Sequence, residues 1–172
     1  MNLTAFYAVV SATCFTLVGL FWSAVDRRRD LLVAADTRRV VGGIYLSFLI
    51  PGLMGLFAQV APESASLWRV TFALAAILGV WSTYRLIQVD RTLGVRGPFQ
   101  RNRWVVGVLY AVILVVGVAP EAAESVGLTG LQAAAIAIVC LVAIAHGLTW
   151  ELLTTTVPQA PRLPSPEPSP ED

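Results

Sequence analysis

The chain has 172 residues, 56% of them hydrophobic and 13% charged, where a soluble domain carries roughly 45–50% apolar and about 25% charged residues. That excludes an ordinary cytosolic domain. Twelve basic residues, all of them Arg, against eleven acidic ones leave a net charge of +1, so no strongly basic nucleic-acid binder is encoded.

A membrane-spanning helix needs about 20 mostly apolar residues, since the hydrocarbon layer is about 30 Å thick and a helix rises about 1.5 Å per residue. The first such stretch, 3–25, stops at Asp26-Arg27-Arg28-Arg29-Asp30. No basic residue precedes it, and its length and its trailing Arg cluster mark a permanent helix rather than a cleaved secretory signal. The second, 40–61, follows Arg38-Arg39 and carries Pro51-Gly52 at its centre with Gly55 beyond. Pro removes a backbone hydrogen bond, which makes Pro51 and Gly52 a candidate kink.

The third stretch, 67–89, sets Trp81, Arg85 and Gln88 on one face near its end. The fourth, 104–119, lies at the short end of the spanning range, and the fifth runs over 128–153. All five are apolar on every side, so neither soluble amphipathic helices nor the alternating strands of a barrel fit. The expectation is an all-α bundle of five transmembrane helices over residues 1–153. The segment 154–172 holds six of the ten Pro residues and reads as an extended, disordered cytoplasmic tail. Its Pro158-Gln159-Ala160-Pro161 and Pro161-Arg162-Leu163-Pro164 spacings match those read by proline-binding modules, though Pro-rich composition alone produces such matches.

Orientation follows from the Arg residues. Arg27, Arg28, Arg29, Arg38 and Arg39 fall between stretches one and two, and Arg91, Arg96, Arg101 and Arg103 between three and four. The connections near 61–66 and 119–127 contain none. The positive-inside rule then puts the Arg-rich loops and the C-terminus in the cytoplasm and the N-terminus outside. All-Arg usage with abundant Ala and Val fits a GC-rich bacterial genome, so the expected location is a plasma (inner) membrane. The second and fourth stretches open on similar words, Val40-Val41-Gly42-Gly43-Ile44-Tyr45 and Val105-Val106-Gly107-Val108-Leu109-Tyr110. The outer turns share Val-Ala-Pro-Glu at 60–63 and 118–121. A parallel repeat of two hairpins explains this, as does chance likeness between low-complexity segments.

No phosphate loop, metal motif or nucleophile with a base is present, and one His cannot build a multi-histidine metal site. Catalytic residues, metal ligands and cofactors are therefore not expected. Cys14 and Cys140 read as packing residues. On the fifth stretch Gln132, Ala135, Val139, Ala143, His146 and Trp150 recur at helical spacing, with Glu151 beside the last. An intramembrane His is a proton-pathway candidate, and the plainer reading is a hydrogen bond from His146 to a neighbouring helix. His146-Gly147-Leu148-Thr149-Trp150 resembles the His-x-x-x-Trp arrangement of the influenza-type viral proton channel, which implies a proton-selecting His and a gating Trp. The resemblance spans two residues, and that channel has a single span. Arg85 and Glu151 lie at comparable depth, so an ion pair between them is an expectation, with snorkelling of Arg85 to the headgroups the alternative.

The candidate polar site is therefore His146, Trp150, Glu151 and Arg85. The functional expectation is a small, non-catalytic subunit or regulator of a membrane assembly, with lipid, a membrane-protein partner or a second copy as its contacts and no nucleic acid. A small transporter or proton-coupled channel using His146 is the alternative, and an integral membrane enzyme is the least favoured.

Overall fold

The computed structural model describes residues 2–60, 65–90 and 101–154. Helix α1 spans Leu3–Arg27, and a short 3-10 turn over Arg29–Leu32 leads into α2, Ala35–Val60. Helix α3 covers Ala65–Asp90, α4 Trp104–Val118, the single turn α5 Glu121–Glu124, and α6 Gly130–Thr154. Among the described residues there is no strand. Four helices, α1, α2, α3 and α6, are long and apolar enough to cross a membrane. Helix α4, with 15 residues, is shorter. Pro62, Glu63, Arg91, Arg96 and the tail beyond residue 154 lie outside the described residues.

Helix α2 begins five residues before the apolar run predicts. Asp36 lies in its first turn, where a carboxylate meets the positive end of the helix dipole, and accepts a 3.1 Å bond from Arg39. The polar residues 35–39 therefore remain helical. Helix α6 begins with a reciprocal capping box: Thr129 N–H donates to Gln132 Oε1 at 2.9 Å, and Gln132 N–H donates to Thr129 Oγ1 at 3.3 Å. Gln132, expected on the polar face, caps its own helix. Between α4 and α6, Pro120 directly precedes α5, whose first turn carries Glu121 and Glu124; Pro costs no hydrogen bond there and the carboxylates meet the positive dipole end.

The long helices run alternately up and down, so the ends at residues 27, 35, 90, 104 and 154 gather on one side. Helix α2 is the centre. More than half of its apolar window, 56%, is buried against 22% for α1 and for α3, and it packs on α1, α3 and α6. Helix α4 lies between α3 and α6. The core falls into two clusters. Tyr7, Met54, Phe72, Tyr110, Ile113 and Ile138 fill the half away from the Arg-rich end. Phe21, Leu31, Ile44, Phe48 and Leu148 fill the half near it. The outer surface is apolar as well, with Val9, Leu20, Leu74, Ile77 and Val115 exposed, as lipid contact requires.

Candidate functional site

Helix α6 places the sequence-predicted residues in opposite directions. Ala145, Leu148 and Leu152 are buried, which turns Glu151 inward with them. His146 and Trp150 fall on the far side, exposed along with Ile136, Val139, Cys140 and Ala143. At about 100° per residue, neighbours 150 and 151 straddle the boundary between the two faces. The His146 ring meets Phe48 of α2 edge-on, with ring centroids 6.3 Å apart and planes at 85°. His146 and Trp150 thus share an outward stripe, and Glu151 belongs to the interior.

Arg85 belongs to another part of the bundle. It is exposed near the end of α3 with its guanidinium carbon 4.9 Å from the Trp81 ring centroid, a cation–π contact. The expected ion pair from Arg85 to Glu151 is not formed: Glu151 is buried on α6, whereas Arg85 is exposed near the end of α3 against Trp81. Ion pairs among the described residues include Arg28–Asp30, Arg29–Asp26 and Arg39–Asp36. Glu151 has a partner of its own, as does buried Arg103, which also donates to the Leu86 carbonyl at 3.3 Å.

Pro51 and Gly52 are buried where α1 crosses α2, and α2 is helical through both. A Cβ added at Gly52 would lie 3.1 Å from the Cys14 Cβ, and one at Gly55 would lie 2.9 Å from the Tyr7 carbonyl oxygen. The two glycines let the helix backbones meet, as small residues do in membrane helix pairs. Ser11 Oγ donates to the Gly52 carbonyl at 2.9 Å. Pro51 has no N–H to donate to the Ser47 carbonyl one turn earlier, whereas the Gly52 carbonyl that Ser11 engages is a different group. Among the described residues no three His, Cys, Asp or Glu side chains converge on a metal-sized site.

Three polar features escaped the sequence reading. Arg69, near the end of α3 away from the Arg clusters, donates to the Gly117 carbonyl at 3.0 Å and to the Val118 carbonyl. It caps the short α4, whose last carbonyls have no intrahelical donor. Tyr7 Oη donates to the Leu131 carbonyl at 2.8 Å, tying α1 to the first turn of α6. Tyr110 is buried against Gly79, and its hydroxyl has no hydrogen-bond partner among the described residues. At the Arg-rich end, Arg28 clasps Asp30 and also donates to the Leu153 carbonyl at 3.1 Å, joining the first loop to the last turn of α6. The bond from Arg28 holds the Asp30 carboxyl below the usual carboxylate range.

The chain matches no protein-family model, no curated protein and no solved structure.

Proposed function

We propose that this chain is a non-catalytic helical subunit of a larger membrane assembly and that it docks through the outward stripe of α6. The observation that carries the reading is the exposure of His146. An ionisable side chain facing hydrocarbon is costly, whereas on a protein–protein face its two ring nitrogens find partners. Ala143 and Gly147 beside it permit close approach of a second helix. The outward direction of His146 favours a contact between chains over a proton path enclosed within one.

In this reading α1, α2, α3, α4 and α6 all cross a bacterial plasma membrane, with the N-terminus outside and the Arg-rich end and C-terminal tail in the cytoplasm. Ten of the twelve Arg residues fall at or beside that end. Helix α4, at about 22 Å, is brought into the layer by its neighbours on both sides and by the Arg69 cap. Cysteine labelling from outside is expected to reach positions 64 and 124 and to miss 36 and 97.

Cys140 is exposed on the same stripe, so position 140 is a place to probe the contact. A photo-crosslinking residue placed there should, on irradiation of native membranes, shift the 18.5 kDa chain to one discrete heavier species that co-purifies at fixed stoichiometry. His146→Leu should weaken that complex. A chain that stays monomeric in its native membrane, with extraction unaffected by His146→Leu, would refute the assignment.

A further inference from the structure

Arg39 and Arg85 line one groove. Helices α2 and α3 touch at Gly43, where an added Cβ would lie 2.3 Å from Leu86 Cδ2, and beside that contact they leave a groove of about 740 Å³ near the Arg-rich end. Gly42 supplies no side chain to fill it: a Cβ built there meets nothing within 4 Å. The rest of the lining pairs aromatic with neutral polar groups, including Trp81, Ser82, Tyr84 and Gln88, and none of the described lining residues is acidic. Arg39 donates to Asp36 through one guanidinium nitrogen, and Arg85 spends its flat face on Trp81, leaving N–H groups of both for another acceptor.

We propose that this groove binds one anionic phospholipid, its phosphate held by Arg39 and Arg85 and an acyl chain lying along Leu46 and Trp81. The chemistry is that of basic pockets between membrane helices that take acidic headgroups. The guanidinium fork matches the phosphate oxygens, the Ser82 hydroxyl and Gln88 amide offer further donors, and the exposed Tyr84 ring suits the headgroup boundary, with Trp81 nearly one turn deeper beside the acyl chain. The site rests on the chain's lying in a membrane. It is independent of what docks on α6, because its helices present another side of the bundle.

The test is native mass spectrometry of the full chain in nonionic detergent, with phosphatidylglycerol and phosphatidylcholine offered together. The expected result is one phosphatidylglycerol retained in preference, with affinity falling about fivefold for each of Arg39→Gln and Arg85→Gln. Arg38→Gln, whose residue does not line the groove, should leave it unchanged. Gly42→Leu keeps every charge, has room on the backbone, and should abolish retention while leaving the melting temperature intact. Equal retention of the two lipids, retention unaffected by Gly42→Leu, or competition by millimolar inorganic phosphate would each overturn the proposal. So would a lipid-independent dimer lost in Gly42→Leu, which would put a second copy in the groove.

Discussion

Gly79→Ala tests whether the contact between α3 and α4 is set by backbone proximity. A Cβ at Gly79 would lie 2.5 Å from Cδ1 and Cγ of Tyr110 and 2.6 Å from Cδ2, so it would press on the ring face rather than on a flexible tip. The shortfall from an ordinary 3.4 Å contact is about 0.9 Å. Tyr110 is 2% exposed and Ile113 next to it 0%, so the ring has no space to retreat into and the helices must part. Overpacking of this kind costs about 2–3 kcal/mol. Chains unfolded within a membrane keep their helices, so the usual helix-propensity gain of Ala over Gly offsets little of it. The assay is unfolding by sodium dodecyl sulfate from mild detergent, followed by circular dichroism and tryptophan fluorescence. Gly79→Ala should shift the unfolding constant roughly 30- to 150-fold, whereas Gly19→Ala and Gly42→Ala, where nothing lies within 4 Å, should shift it by less than about threefold. In a Tyr110→Leu background the same change should cost little, a coupling that a double-mutant cycle reads directly. If Gly79→Ala matches Gly42→Ala, or its cost persists without the Tyr110 ring, the reasoning fails.

Two further outcomes are expected. Arg69→Leu removes both donors from the end of α4 and should destabilise the bundle by about 1–2 kcal/mol, with faster hydrogen exchange at residues 115–119; unchanged exchange there would refute the cap. Arg28 holds the Asp30 carboxyl below its ordinary range, so the clasp contributes above about pH 4, the unfolded value, and is lost as the pH falls through the lowered folded value. Exchange in the last turn of α6 should stay constant from pH 7 to about pH 4 after correction for intrinsic rates and accelerate below, and Asp30→Asn should abolish that acid response. An identical response in Asp30→Asn would remove Asp30 from the argument.

The place of each long helix along the chain was legible in the sequence, and direction around each helix much less so. Apolar run lengths located every long helix to within about five residues, because helix length and hydrophobic run length follow the same layer thickness. They missed the first turn of α2, where Asp36 and Arg39 stabilise a helix that hydropathy alone would end. Direction is harder because a membrane bundle is apolar inside and out, so periodicity does not separate the buried face from the lipid face. Arg85 and Glu151 match in position along their helices, yet Arg85 faces outward against Trp81 and Glu151 faces the interior. Gln132 belongs to a Thr-x-x-Gln capping signature, which has the same helical spacing as a polar face. Arg69 was hidden for a different reason: charge counting assigns Arg to loops, and its role as a cap depends on where a short neighbouring helix happens to end.

His146 is the residue for which both coordinates matter. Trp150, one turn from the end of α6, suits the aromatic belt, and His146 lies four residues further in, about 6 Å deeper. A His side chain is too short to snorkel that distance as Arg does. An imidazole ring carries polar nitrogens on two edges, and leaving such groups unbonded in hydrocarbon costs several kcal/mol, which an edge contact with Phe48 does not return. A rotation of α6 by about one residue would bury His146 and expose Glu151, a worse exchange, since a carboxylate is the harder group to leave in lipid. The observed rotation therefore accepts one exposed imidazole as the lesser cost. A partner helix seated over Ala143 and Gly147 and offering a hydrogen-bonding group to His146 would remove that cost, which is why the assembly reading places the contact on this stripe.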